Sequence, residues 1–74
     1  MGMGLDEQGR EHIAALVKND ADGEFVRGEI ARLLTRKYWK YSDHREKNRE
    51  FVKWLRRKSY EETADYLERA NDNA

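Results

Sequence analysis

Apolar residues in this chain recur every three or four positions, and no segment shows the two-residue alternation of a half-buried strand. That spacing predicts helices. Behind Asp6, a candidate N-cap, the positions Ile13, Leu16 and Val17 form an inward stripe that stops at the turn-prone "NDADG", and Gly9 weakens this first helix. A second helix starts behind Asp22 or Gly23, with Val26, Ile30, Leu33 and Leu34 on one face. Lys37 falls on that same face, so the helix is expected to end near Thr35.

"TRKYWKYS" follows as an aromatic and basic connector. The next segment, "SDHREKNREFVKWLRRK", offers Ser42 or Asp43 as N-cap, Glu46 three residues beyond Asp43, and Phe51, Val52 and Leu55 along one face. Arg45, Arg49, Lys53 and Arg56 fall on a neighbouring face as a basic stripe, and Glu46 to Arg49 is one of several intrahelical pairs it allows. "SYEETADYLERANDNA" opens with Ser59 and Glu62 at capping-box spacing and turns Tyr60, Thr63, Ala64 and Leu67 inward. The expected fold is all-α, a compact bundle of three to four short helices. Residues 6–70 form its single domain, with 1–5 and 71–74 as disordered ends.

Composition narrows the functional classes. Seventy-four residues support one small core, which association, such as a homodimer, would help to complete. The absence of cysteine excludes a disulfide framework, thiolate metal ligands and a cysteine nucleophile, and a reducing cytoplasm fits. Apolar runs are too short for a membrane span. The opening "MGMG" is assigned no role.

A formal net charge of zero conceals a strong asymmetry. Residues 1–26 hold two basic and six acidic groups, residues 27–58 twelve and four, and residues 59–74 one and five, a balance of -4, +8 and -4. A basic centre containing "RKYWKY" is an electrostatic footprint for nucleic acid or an acidic partner, or else a solvated face of mixed sign.

"KNDADGEFVRGE", Lys18 to Glu29, resembles the calcium loop of an EF-hand. Asp20 and Asp22 sit at the third and fifth ligand positions, Gly23 at the turn and Glu29 at the twelfth, with Leu16, Val17, Phe25 and Ile30 at the usual apolar places. The first ligand position, however, is Lys18, a cation placed beside the ion, and the ninth is Val26, which holds no bridging water. The acidic residues read better as a helix-capping turn, with calcium binding a remote alternative.

For catalysis there is little to assemble. His12 and His44 belong to no metal-ligand spacing and read as helix-surface residues, and there is no glycine-rich phosphate loop or nucleophile elbow. The chain is read as a non-enzyme without cofactor or metal.

"FVRGEIARLL" resembles the first helix of a helix-turn-helix unit, with Ala31 as the small residue that admits the second helix. The next cap, Ser42 or Asp43, lengthens the turn, and the basic helix ending "VKWLRR" follows. Over Gly28 to Arg57 the chain looks like the extended-turn helix-turn-helix domains of proteobacterial regulators of conjugative transfer, a family with DNA-binding activators and small antiactivators that bind the activator. The resemblance implies a helix-turn-helix-like bundle. Arg45, Asn48, Arg49, Lys53 and Arg56 would lie on or near the exposed side of the recognition helix, with Arg36, Lys37 and Lys40 placed for phosphates. Because the chain is neutral overall, and phosphate neutralisation supplies much of DNA affinity, the preferred partner is another regulatory protein, with DNA the runner-up. Trp39 and Trp54 are the anchors such a protein interface would use, or else plugs of a thin core.

Overall fold

The computed structural model of the protein describes residues 4–34 and 42–72, with side chains in the second stretch described from residue 45 onward. Four helices account for most of these residues: α1 (Glu7–Lys18), α2 (Gly23–Leu33), α3 (Ser42–Arg57) and α4 (Glu61–Asp72). The architecture is all-α, as the three- and four-residue spacing requires. The main packings are α3 on α4, α2 on α4 and α1 on α2, so α4 is the element shared by the two halves.

Several helix boundaries have a local cause. Asp6 caps α1 by accepting the Gly9 N–H at 2.7 Å, and Asp22 caps α2 by accepting the Glu24 N–H at 3.1 Å. Gly9 is buried, and a Cβ there would stand 3.1 Å from Asp6 Oδ1 and 3.4 Å from Leu5 Cδ2. The glycine therefore lets the cap and Leu5 fold tightly over the first turn, which offsets its low helix propensity.

The turns after α1 and after α3 are built alike. At the first, Asp20 N–H donates to Val17 O at 3.0 Å and Ala21 N–H to Leu16 O at 3.0 Å. At the second, Ser59 N–H donates to Arg56 O at 3.0 Å and Tyr60 N–H to Leu55 O at 2.9 Å. Both are Schellman caps, in which one left-handed residue satisfies the last carbonyls of a helix. The left-handed residues are Asp20 (φ 57°) and Ser59 (φ 70°). Two expectations are thereby corrected. Gly23 has no positive φ and is the first residue of α2, so Asp20 makes the turn, and Ser59 ends α3 rather than capping α4. Tyr60 takes the position before α4, its carbonyl accepting the Ala64 N–H at 2.9 Å. Ser42 and Asp43 likewise lie inside α3.

Leu5, Ile13, Val17, Val26, Ile30, Val52, Leu55, Ala64 and Leu67 form the buried core. Its inward residues from Ile13 to Leu67 follow the sequence pattern, whereas Leu5 was expected in a disordered end. Instead its side chain is fully buried, and its backbone is held by Asn48, whose Oδ1 accepts the Leu5 N–H at 3.2 Å and whose Nδ2 donates to Leu5 O at 2.9 Å. At the other end α4 runs to Asp72, and Asn71, also placed in a disordered end, is buried and donates to Arg45 O at 3.2 Å. In both cases a polar side chain ties down an otherwise loose terminal segment, an arrangement that hydrophobic periodicity does not encode.

Two substitutions test this account. Replacing Asn48 by Ala leaves the buried Leu5 N–H without its acceptor and the Leu5 carbonyl with Arg10 alone, and is expected to cost about 2 kcal/mol in urea unfolding. Ser59→Gly relieves a left-handed conformation and is expected to raise stability by about 0.5–1 kcal/mol in the same assay.

Candidate functional site

The residues singled out in the sequence divide sharply once placed. Arg36, Lys37, Trp39 and Lys40 lie outside the described residues. Arg45, Arg49 and Lys53 are exposed on α3, and Arg49 makes the expected pair with Glu46 at 2.9 Å. Asn48 is not on the exposed side of α3. It is fully buried and serves the backbone of Leu5, so it is removed from the candidate contact surface. The spacing of Asn48, Val52 and Leu55, four and then three residues, was the available signal, because it puts the asparagine on the inward stripe.

Arg56 is also displaced from the role expected of it. It bends across to α4, where Nη2 lies 2.8 Å from Glu68 Oε1 and 2.6 Å from Asp65 Oδ1, while Nε lies 3.7 Å from Glu61 Oε2. Hydrogen bonds to Glu68 and then Asp65 push the Arg56 pKa above its ordinary value, and the guanidinium in turn holds the Glu68 carboxyl below the usual range. One cation of the basic stripe is thus already matched by three carboxylates. Arg49, Lys53 and Arg56 line a groove of about 410 Å³ whose opposite wall is the Glu68 to Asp72 end of α4. The acidic flank of the sequence folds back against the basic centre.

The aromatic part of α3 faces another way. Phe51 and Trp54 stack with ring centroids 5.4 Å apart and planes 17° from parallel, both half-buried against the core. Lys58 Nζ sits 5.8 Å from the Trp54 ring centroid, within cation–π range. With Ala14 of α1 these rings floor an open, mainly apolar groove of about 490 Å³ between α1 and α3. Charged side chains rim it, Arg10 and Glu11 from α1 and Lys47, Glu50 and Arg57 from α3. Trp54 accordingly plugs the edge of the core and keeps one part of its ring at the surface.

The calcium-loop resemblance dissolves in this geometry. Only Asn19 to Asp22 separate α1 from α2, and the Asp22 carboxylate is engaged as a cap. Glu29 lies six residues into α2 from Gly23, about 9 Å along its axis at the helical rise. Its carboxylate accepts Arg32 Nη2 at 2.9 Å and Arg32 Nε at 3.1 Å and is hydrogen-bonded to His12 Nε2 of α1 at 3.0 Å. Arg32, followed by His12, lowers the Glu29 pKa from 4.5 to about 2. The trio fastens α1 to α2. Among the described residues no group of three or more histidine, aspartate or glutamate side chains is arranged to hold a metal ion, and no helix is long and apolar enough to cross a membrane.

No protein-family model, curated protein or solved structure matches the chain. The helices that carry the helix-turn-helix resemblance, α2 and α3, both lean on α4, and the 35–41 connector between them lies outside the described residues.

Two titrations check these assignments. Calcium at millimolar concentration is expected to leave the amide resonances of Asp20 to Glu29 unmoved. Because the folded pKa of Glu29 is depressed, its contribution to stability is present above the ordinary carboxylate value of 4.5 and is lost as pH falls toward about 2. Carboxyl NMR is expected to place the Glu29 midpoint near that lower value, and Arg32→Ala to move it back upward.

Proposed function

We propose that this chain is a small cytoplasmic regulatory protein that acts by binding another regulatory protein, in the manner of an antiactivator or adaptor, and performs no chemistry. The observation that carries this reading is the internal use of the basic stripe. Arg56 is matched within the fold by Glu61, Asp65 and Glu68, and Asn48 is buried, so two of the five α3 residues available for base or phosphate contact are already committed. The apolar Phe51 and Trp54 surface suits a protein partner better than a phosphate backbone.

A helix-turn-helix DNA-binding regulator is the second reading, supported by the exposed Arg45, Arg49 and Lys53 and by the +8 balance of residues 27–58. Counterion release separates the two, since affinity that rests on phosphate contacts falls steeply with salt. Under the protein-binding reading, co-purification from cells of the source organism yields a stoichiometric regulatory protein. A salt-titrated DNA-binding assay then shows no saturable binding, even at low ionic strength. Tight, salt-sensitive DNA binding without a co-purifying protein would reverse the order of the two readings.

A further inference from the structure

We infer that the α1/α3 groove is a docking site for an amphipathic helix whose apolar stripe is flanked by acidic residues. The inference rests on the protein-binding reading and specifies its partner. The floor is Ala14, Phe51 and Trp54, a shallow and open apolar strip bordered by charged side chains of α1 and α3, on which one helical stripe can lie. From Lys47 to Arg57 the groove follows α3 for ten residues, about 15 Å or three turns at the helical rise.

Charge decides the occupant. On the rim and immediately beside it, Arg10, Lys47, Arg57 and Lys58 outnumber Glu11 and Glu50. The cations stand at the two ends of the α3 stretch, Lys47 at one and Arg57 and Lys58 at the other, with Glu50 between them. A second copy docking by an antiparallel two-fold contact centred between Phe51 and Trp54 would bring Lys47 against the partner's Arg57 and Lys58. Like charges would then meet at both ends, which costs association energy. An acidic-flanked helix meets opposite charges there and covers the apolar floor.

The test uses the intact chain and a designed probe. The probe is a helical peptide of about five turns with leucines on one face, made with either glutamate or lysine flanks. In amide and side-chain NMR titration the glutamate peptide is expected to shift Ala14, Phe51 and Trp54 saturably, and the lysine peptide to bind about fivefold more weakly. Changing both ends of the rim, Lys47→Glu with Arg57→Glu, is expected to reverse that preference while the helical circular-dichroism signal is retained. If the double variant loses that signal, the comparison of the two peptides on the unaltered chain decides the matter alone.

No saturable shift, shifts centred on another face, equal affinity for the two peptides, or a preference that survives charge reversal in a folded variant would each overturn the proposal. So would a concentration-dependent dimer that buries Trp54. A native regulatory partner that still co-purifies with the folded double variant would overturn this site and leave the protein-binding reading standing. Salt-sensitive DNA binding with no protein partner would remove that reading, whatever the peptides do.

Discussion

The side-chain amide of Asn48 takes the place of a neighbouring strand, accepting the Leu5 N–H and donating to the Leu5 carbonyl, which also accepts Arg10 Nη1 at 2.8 Å. Through this bridge the segment before α1 is tied to the middle of α3, and the Leu5 side chain is delivered into the core. The α1/α3 groove depends on the same tie, because α1 packs chiefly on α2 and α3 chiefly on α4. A neutral amide is suited to the task. Its donor and acceptor are both used, so no charge is buried and the polar group is satisfied at full burial.

The same device recurs along α4. Tyr60 Oη donates to Ala21 O at 2.6 Å, Thr63 Oγ1 to Gly23 O at 3.3 Å, and Asn71 Nδ2 to Arg45 O at 3.2 Å. These side chains fasten α4 to the α1/α2 turn, to the start of α2 and to the first half of α3. Apolar burial supplies the driving force, while directional bonds select one arrangement of four short helices from the many that would bury similar area.

Periodicity made the helices legible, and the caps Asp6 and Asp22 could be read from residue type and position. Ile13, Val17, Val26, Ile30, Val52, Leu55, Ala64 and Leu67 were legible as inward positions because their spacing matches the helical repeat. Ser59 was misassigned because serine serves both at an N-cap and, less often, at a left-handed position, and the distinction depends on Tyr60 reaching back to Leu55. Asn48 and Arg56 were misassigned for a different reason. A polar residue on a helix is read as exposed unless its partner is known, and these partners lie 43 and 12 residues away in the chain, at Leu5 and Glu68. The aromatic groove was only half legible, since Trp54 could be named but Ala14 and Arg10 join it only through tertiary packing.

The position of α4 has a consequence for the growing chain. α2 and α3 both pack on α4, yet α4 leaves the ribosome after them. During synthesis the α1 and α2 pair can close early through its local turn and the His12–Glu29 bond. Val52 and Leu55 remain without the Ala64 and Leu67 side of the core until α4 has emerged. A chain cut short before α4 lacks that side of the core and leaves the apolar face of α3 uncovered, which makes it a substrate for chaperones and proteases.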